Sequence, residues 1–386
     1  MNDTLTLTDE KVLEAAQASL ADCLDLHAEG YKCSTADLLN VLLAVAADRG
    51  TIQSVCSDLA GTPDPETIRG YINEQLCVED LPELEAAVNQ ALVAQLPPRL
   101  WRRPLDIAMD LHDRPYYGKQ TQEAGRWVRG RARDGTTRFY RIATAYILVQ
   151  NLRFTLGICF VLPEMSTVEV LQRLLQRVQA LHLPLRWLLL DRGFASIAVQ
   201  EYLDQQQIPA VIACPIRGKT GGTRALCRGR KSYRTQHTFQ GTGTSRLADL
   251  VVCRVFTTAK RTKRLKRRAD WQVFILIHLD LSPRQVRRLY RRRFGIETSY
   301  RCAGHVRGWT TSANPAYRFL LMALGVLLVN VWVILRWLFT QLPRRGGRKL
   351  DLRRFQLDRF AKFILRALQY HYGCVHQIAA TVAPLR

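Results

Sequence analysis

The segment "LRWLLLD", residues 185–191, indicates the fold of this chain more directly than any other stretch. Its apolar residues run almost without interruption to an aspartate, a pattern that is typical of a strand buried on both faces of a sheet. The next residues, "RGF", contain Gly193, which permits a tight exit from the strand. Ligands commonly gather at the carboxyl ends of such strands. Asp191 is therefore a candidate functional residue, although a lone aspartate at a strand end is equally often a structural turn residue.

The segments on both sides of this strand alternate between strand and helix patterns. Three upstream segments are rich in aliphatic and β-branched residues and predict strands, namely "LDIAMDL" at 105–111, "FYRIATAYILVQ" at 139–150 and "FTLGICFVL" at 154–162. An amphipathic helix is predicted at 167–181 and a second helix from about Ser196 to Gln205, and "PAVIACPI" at 209–216 predicts another strand. Antiparallel strands, a helix, a buried strand and a helix follow one another in the order of a ribonuclease-H-like α/β domain.

Charge is distributed unevenly along the 386 residues, which carry a formal net charge of +23. Residues 1–98 contain 4 Lys and Arg against 17 Asp and Glu, whereas residues 99–386 contain 52 against 16. The basic part is suited to binding a polyanion such as nucleic acid. The ten cysteines form no CxxC pair and no cluster with histidine, and no signal peptide pattern begins the sequence. We therefore expect reduced thiols and a cytoplasmic protein.

These patterns predict an α/β fold in which a ribonuclease-H-like catalytic core carries a basic β-rich insertion and an N-terminal helical domain. The acidic N-terminal helices are compatible with a helix-turn-helix or with a domain for self-association, and their charge favours the second interpretation. The expected domains are an acidic helical domain at 1–98, the first part of the core at 99–215, the basic insertion at 216–270, the second part of the core at 271–342 and a basic helical tail at 343–386.

One segment, Phe319–Leu335, is apolar enough to suggest a membrane span. Asn330 interrupts it and Arg336 follows it directly, so we expect a helix buried in the core of a protein without a membrane anchor. If this helix is buried, Asn330 requires an internal hydrogen-bond partner. We also expect this helix to brace the preceding arginine-rich helix, which contains residues 284–301, against the sheet.

The segment "LDIAMDLHDRP" contains three acidic residues that are candidates for a site shared with Asp191. Asp106 and Asp110 share strand parity, and Asp113 lies beyond the apolar run, where a turn is expected. Asp110 is the preferred candidate, because a carboxylate in an otherwise apolar sheet requires a metal ion or a cation to balance it. Carboxylates that hold two divalent ions about 3.5–4 Å apart suit phosphodiester chemistry, and Mg²⁺ favours such oxygen ligands.

The arginine-rich segment "RQVRRLYRRRFGIETSYR", residues 284–301, follows Ser282 and Pro283, which are typical of a helix start. It predicts one helix that carries Glu297. Four residues share one face of that helix at 3.6 residues per turn: Tyr290, Arg293, Glu297 and Arg301. A surface ladder of arginine–glutamate pairs would explain the same spacing, so the helix alone leaves both interpretations open.

The three acidic segments together resemble the catalytic core of DDE transposases of insertion sequences, specifically the IS4-like group and its ISH3-type relatives. The resemblance covers roughly residues 100–340 and rests on "LDIAMD", "LLLDRGF" and "YRRRFGIETSYR". The group's signature is Tyr-x2-Arg-x3-Glu-x6-Lys, and the lysine position is Gly304 in this chain. Arg301 and Arg307 are the cations that could replace the lysine.

This resemblance implies a catalytic and metal-binding triad of Asp110, Asp191 and Glu297 with two Mg²⁺ or Mn²⁺ ions. It also implies that Tyr290 and Arg293 contact the DNA backbone. Further backbone contacts are expected from the basic run of the insertion, which consists of Lys263, Arg264, Lys266, Arg267 and Arg268.

The implied function is a DNA transposase that binds double-stranded DNA, both the terminal inverted repeats of its element and the target, and that forms a homodimer on DNA. Its expected location is the cytoplasm, in association with the nucleoid. Two other interpretations stay open, namely a ribonuclease-H-like nuclease without transposition and a non-catalytic DNA-binding protein with structural acids.

Overall fold

The computed structural model describes residues 6–97, 104–119, 125–149, 152–219, 221–261, 264–293, 295–342 and 349–377. The side chains of residues 257–268 and 294–299 lie outside this description. The chain divides into two compact units. A helical unit contains Met1–Pro97, Tyr117–Arg126 and Ser299–Arg386, and a sheet unit contains Pro98–Tyr116 and Trp127–Thr298.

The described helices and strands of the first half follow one another in chain order: α1 Asp9–Ala21, β1 Glu29–Gly30, β2 Cys33–Ser34, α2 Thr35–Asp48, α3 Ile52–Asp58, α4 Pro65–Gln75, α5 Leu81–Ala94, β3 Leu105–Pro115, β4 Val128–Arg133, β5 Thr136–Val149, β6 Leu152–Val161, α6 Thr167–Ala180, β7 Leu185–Leu190 and α7 Ile197–Gln205. The second half continues with β8 Ala210–Cys214, α8 Gly222–Ala225, β9 Tyr233–Gln240, β10 Ser245–Arg261, β11 Arg264–Ile277, α9 Pro283–Arg293, α10 Gly295–His305, α11 Pro315–Phe339, β12 Gln341–Leu342, β13 Lys349–Leu350 and α12 Leu357–Tyr372.

Local sequence signals explain where several of these helices begin. Ser34 caps α2 in a reciprocal capping box with Asp37, and Ser166 caps α6 in the same way with Glu169. Each box satisfies backbone N–H groups that have no partner within the first turn of a helix. Helix α6 then buries its apolar stripe, as the spacing of its leucines and valines predicts.

Helix α11 forms the centre of the helical unit, where it packs with α1, α2, α5 and α12. Its length and composition would allow a membrane span, but 94% of its most apolar window is buried inside the fold. Asn330 is only 1% exposed, and its side-chain amide donates a 3.0 Å hydrogen bond to the carbonyl of Leu92. The predicted burial of this helix and the internal partner of Asn330 are thus confirmed.

The helices that cover α11 come largely from the N-terminal end of the chain. Residues Ser299–Arg386 group with Met1–Pro97 in the helical unit. The reason is chemical complementarity over a long sequence distance, since the apolar surface of α11 is covered by the apolar stripes of helices at the opposite end of the chain.

We expect Asn330→Ala to lower the free energy of unfolding by about 1–3 kcal/mol, because the buried Leu92 carbonyl loses its donor. Leu338→Ala on the same helix is the matched control. Its side chain is 47% exposed, and we expect a change within about 0.5 kcal/mol. Urea titration of both variants measures the difference, and equal stabilities would contradict a structural role for the Asn330 hydrogen bond.

A nine-stranded sheet dominates the sheet unit, with the order β4-β5-β3-β7-β8-β11-β10-β9 and with β6 paired to β5. The central strands β3, β7 and β8 are parallel, and the flanking pairs are antiparallel. The strand predicted from "LRWLLLD" is β7, and its three leucines 188–190 are buried. Strand β7 therefore ends at the centre of the sheet, between β3 and β8.

Two strands are longer than the sequence predicts. Strand β3 continues to Pro115 because β5 pairs with it up to Phe139, so Asp113 lies in a strand and not in a turn. Strand β11 runs without a break from the basic insertion into the expected second part of the core. Its partner β10 pairs with it from Asp249 to Arg261, so the predicted boundary near residue 270 lies within one antiparallel strand pair.

Candidate functional site

Asp110 and Asp191 lie next to each other because of the register between β3 and β7. Met109 pairs with Leu190 in this parallel register, and each aspartate is the following residue. Asp191 also turns the chain, since its carboxylate accepts a 2.8 Å hydrogen bond from the backbone N–H of Gly193. A Cβ at position 193 would lie 2.9 Å from that carboxylate, so glycine is required by this close approach.

The two carboxyl groups influence each other's protonation. Burial raises the pKa of Asp110 to about 7, and the negative charge of Asp191 contributes further to the increase. Burial likewise raises the pKa of Asp191, although the hydrogen bond from Gly193 opposes that shift. The two side chains are close enough to share a hydrogen bond. Two crowded carboxylates of this kind are typical of catalytic and metal-binding sites.

Arg293 is the cation beside this pair. Its Nη1 atom lies 3.4 Å from Oδ1 of Asp110, and both side chains are largely buried, at 12% and 13% exposure. Burial alone would disfavour the charged guanidinium, but Tyr290 and the two aspartates outweigh it and raise the pKa of Arg293. One guanidinium cannot fully balance two carboxylates, so the site keeps an excess of negative charge when both are ionised.

Tyr290 holds helix α9 against the end of β7. Its hydroxyl donates a 3.3 Å hydrogen bond to the carbonyl of Leu190, directly before Asp191. Its ring packs 4.7 Å from that of Phe274, and the Arg293 guanidinium lies 4.8 Å from the ring centre. Burial raises the pKa of the phenol, which stays a hydrogen-bond donor. With 4% exposure, Tyr290 positions the site, and this placement corrects the expected contact with the DNA backbone.

Asp106 has a structural role in the sheet unit. Its carboxylate is buried and forms ion pairs with Arg186 at 2.6 Å and with Arg292 at 2.8 Å. Two guanidinium groups neutralise its charge, so it needs no metal ion. Arg186 also lies 4.6 Å from the ring centre of Trp187, which fixes its orientation.

Asp113 faces the opposite side of β3 and pairs with Arg141 of β5 through hydrogen bonds of 2.6 and 3.1 Å. The cross-strand register brings these two residues directly opposite each other. Of the three acids that compete in this strand, Asp110 alone lies beside Asp191.

Several predicted site residues lie outside the description of side chains. Glu297 falls within α10, but its side chain is not described. The shared face of Tyr290, Arg293, Glu297 and Arg301 therefore stays a prediction. In the basic run, Lys263 lies outside the described residues, and the four other members belong to β11 without described side chains. Arg301 is exposed within the helical unit.

The donor set of the carboxylate pair fits a hard divalent cation. Asp110 and Asp191 offer carboxylate oxygens at one buried edge, and Mg²⁺ or Mn²⁺ prefers such ligands. Among the described side chains, no group of three His, Cys, Asp or Glu is close enough to hold a metal ion. The implied third ligand, Glu297, is not among those side chains. The structure therefore describes the side chains of two of the three expected ligands.

The pKa of Asp110 leads to a prediction for the metal-free protein. A carboxyl group whose pKa is raised on folding contributes stability below its unfolded value near 4, and this contribution is lost as the pH rises through about 7. The Asp110→Asn variant has no ionisable group at this position and therefore avoids this loss of stability. We expect the variant to become more stable than the parent between pH 4 and 7, by on the order of 2 kcal/mol at pH 8.

Chemical denaturation in EDTA at pH 4.5 and pH 8 measures this difference. Asp134→Asn, in an exposed turn, is the control and should show no such pH dependence. A stability difference that is the same at both pH values would contradict the raised pKa of Asp110.

Strand β4 and the turn that joins it to β5 lie outside the segments that the sequence analysis identified as strands. The signal of the turn is nevertheless present, since Asp134 and Gly135 have φ of 52° and 79°, the backbone that an Asp-Gly hairpin turn requires. Arg133 of this hairpin donates a 2.9 Å hydrogen bond to the carbonyl of Asp113. The hairpin thus adds basic side chains to the part of β3 that extends beyond Asp110.

Comparisons with known proteins show a family and a similar fold. The transposase DDE domain family model matches residues 108–329, which include all three acids of the expected triad. No curated protein sequence is similar enough to be counted as a relative. One similar solved structure is a chain of the cryo-EM structure of piggyBac transposase synaptic complex with hairpin DNA, with a TM-score of 0.54 and 10% identity over 95% of this chain and 78% of that chain.

At that level of identity the solved structure shows similarity of fold alone. The family model, in contrast, spans more than half of the chain and begins two residues before Asp110. Because this match covers more than half of the chain, the chain belongs to the transposase DDE domain family.

Proposed function

We propose that this protein is the transposase of an insertion sequence of the IS4-like or ISH3-type group. It cleaves the ends of its element and joins them to target DNA. The observation that carries this proposal is the placement of Asp110 on β3 beside Asp191 at the end of the parallel strand β7, within the DDE family segment. The strand order around this site supports a ribonuclease-H-like core, since antiparallel β5 and β6 precede the parallel strands β3, β7 and β8 in the sheet.

The residues of this chain have distinct roles in the proposed reaction. Asp110 and Asp191, with Glu297 as the third ligand, hold two divalent ions, which would supply charge stabilisation at the attacking and leaving oxygens of the phosphodiester. Asp110 has to lose its proton before it can serve as a ligand, because a protonated carboxyl is a poor ligand for Mg²⁺. Arg293 favours this loss through its charge, and Tyr290 keeps Arg293 and the strand end in place.

Incubation of the protein with a duplex that carries the inverted repeat beside its gene, a target plasmid and Mg²⁺ tests the function. The proposal requires nicks at the repeat and covalent joining of the new 3′ end to the plasmid. Metal-dependent nicks without joined products would favour the nuclease interpretation. The absence of any metal-dependent cleavage, together with retained duplex binding, would favour a non-catalytic DNA-binding protein.

The basic run of the insertion is proposed to contact the DNA backbone. We expect that simultaneous replacement of Lys263, Arg264, Lys266, Arg267 and Arg268 by glutamine weakens binding to duplexes of any sequence. The slope of log affinity against log salt should flatten by up to about 0.9 for each phosphate that the variant no longer neutralises. Titrations at several salt concentrations measure the slope, and an unchanged slope would leave this run as a solvated loop.

DNA of both the element ends and the target is the proposed partner, and we propose a homodimer as the DNA-bound form, because two ends have to be joined in one reaction. The proposed location is the cytoplasm, on the nucleoid. The burial of α11 within the helical unit supports a location away from the membrane.

A further inference from the structure

A basic cleft lies on the surface of the helical unit, beside the C-terminal helix α12. Its volume is about 610 Å³, and of the seven side chains that line it, four are cationic and one is acidic. The turn before α12 forms one wall, and α12 itself forms the other. We call this surface the α12 cleft, and its lining consists of Arg353, Gln356, Asp358, Arg359, Lys362, Phe363 and Arg366.

Helical spacing arranges the cations of α12 in one stripe. Arg359, Lys362 and Arg366 fall within about 60° of one another at 3.6 residues per turn. Tyr370 extends the stripe by one further turn and is 90% exposed. The opposite face of α12 is apolar and buried, so the packing of that face keeps the stripe in solvent.

Hydrogen bonds from α11 fix the turn that forms the other wall of the α12 cleft. The indole of Trp332 donates a 3.1 Å hydrogen bond to the carbonyl of Phe355, and the guanidinium of Arg336 donates a 2.6 Å hydrogen bond to the carbonyl of Leu352. The Phe355 ring also packs against two phenylalanine rings of α12, at 6.3 and 5.9 Å. Arg353 lies between the two anchored carbonyls, so the cleft is formed before any ligand binds.

The α12 cleft keeps an excess of positive charge in the folded unit. Within the part of the chain that the structure describes, none of its four cations forms an ion pair. Helix α12 packs against α1 and α2 of the acidic N-terminal segment, yet the acids of that segment do not neutralise the stripe. Asp358 lies in the first turn of α12, where the helix dipole favours an acid. The cations are therefore available to an external anion.

We propose that the α12 cleft binds the backbone of double-stranded DNA. This inference rests on the proposed function and adds to it a DNA contact on the helical unit. The stripe from Arg359 to Arg366 spans about 10 Å at 1.5 Å per residue, and one strand of B-DNA carries about three phosphates over that length, at about 3.4 Å per step. Three cations thus meet three phosphates.

The chemistry of the stripe suits phosphate oxygens. Arginine binds them with two parallel hydrogen bonds, and lysine binds them as a point charge. The hydroxyl of an exposed tyrosine such as Tyr370 is a further donor to the DNA backbone. Because the phosphates are the same in every sequence, this contact adds affinity and positions the duplex without selecting a base sequence.

Simultaneous replacement of Arg359, Lys362 and Arg366 by glutamine tests the proposal in the full chain. The probe is a random-sequence duplex of about 30 base pairs in EDTA, titrated at several salt concentrations. We expect the slope of log affinity against log salt to flatten by up to about 2.7, which is about 0.9 for each of three phosphates, and the affinity at low salt to fall about tenfold or more. The unfolding temperature should stay the same, because all three side chains are exposed.

A second triple variant is the matched control, since it removes the same net charge from exposed positions of the helical unit outside the α12 cleft. It replaces Lys11, Lys32 and Arg49 by glutamine, and its salt slope should equal that of the unmodified protein. Equal slopes for the two triple variants would overturn the proposed DNA contact and leave the proposed function standing.

Two other outcomes would also overturn the proposal. An unchanged slope together with a changed oligomeric state of the cleft variant at low salt would indicate that the α12 cleft binds the acidic helices of a second copy of this chain. If the unmodified protein binds no duplex at all, the proposed function and the DNA contact are both wrong.

Discussion

Asp110→Asn and Asp191→Asn are each expected to abolish metal-dependent DNA cleavage while leaving duplex binding almost unchanged. Loss of a residue that only supports a metal ligand typically costs about 10–100-fold in metal affinity or activity. Loss of a ligand itself should therefore exceed about 100-fold. Asparagine keeps the size of the side chain and removes a negative charge, so binding of the DNA polyanion should not suffer.

The same strand supplies two matched controls for this experiment. Asp106→Asn and Asp113→Asn make the same chemical change four residues before and three residues after Asp110. Asp106 is held by Arg186 and Arg292, and Asp113 is held by Arg141. We expect these variants to lose stability and to keep cleavage activity under conditions in which they are folded.

Cleavage assays with all four variants at one temperature, together with thermal unfolding curves, separate catalysis from stability. Glu297→Gln extends the series to the proposed third ligand and should resemble Asp110→Asn. Near-normal cleavage by Asp110→Asn and loss of cleavage by a folded Asp113→Asn would show that the first acid has been assigned wrongly. If none of the variants affects cleavage, the carboxylate pair is not the catalytic site.

The strands around the site were predictable from sequence because their signals are local. A run such as "LRWLLLD" requires burial on both faces whatever its neighbours are, and β7 forms at that place. The preference for Asp110 over Asp106 and Asp113 rested on the cost of an unbalanced charge. The structure supports the same choice, because Arg186 and Arg292 neutralise Asp106. These two arginines lie 80 and 186 positions away in the sequence, so no local pattern indicates them.

The placement of α11 was not predictable in this way. Its apolar composition indicates burial, but it does not indicate which surface covers it. The partner of Asn330 is the carbonyl of Leu92, a residue 238 positions earlier in the chain. A contact over that distance depends on the complete fold, so the sequence predicts the burial of α11 but not the surface that covers it.

The role of Tyr290 shows a related difference. The resemblance to DDE transposases implied that Tyr290 and Arg293 contact the DNA backbone. In the structure, α9 turns this face inward, where the Tyr290 hydroxyl meets the Leu190 carbonyl and Arg293 meets Asp110. The helix places its apolar residues Val286 and Leu289 on the same buried side. Helical spacing predicts which residues share a face, but packing decides whether that face meets DNA or the protein interior.

Arg293→Gln is expected to lower cleavage by about 10–100-fold at pH 7, the range for residues that act on a metal ligand, with partial recovery at higher pH. The positive charge of Arg293 lowers the pKa of both Asp110 and Asp191. Its removal raises both pKa values further, so a smaller fraction of the protein has two ionised carboxylates at neutral pH. A nearby opposite charge typically changes a carboxyl pKa by about 1–3 units.

The pH dependence separates this electrostatic role from a loss of structure. The rising limb of the pH–rate profile should shift to higher pH by about one unit or more in Arg293→Gln. Arg292→Gln is the neighbouring control, because Arg292 pairs with Asp106 and not with the carboxylate pair, and its profile should keep the position of the unmodified protein. A uniform decrease of activity at every pH in Arg293→Gln would contradict the electrostatic role. It would indicate that Arg293 acts only by packing against Tyr290, since packing, unlike charge, does not depend on whether Asp110 is protonated.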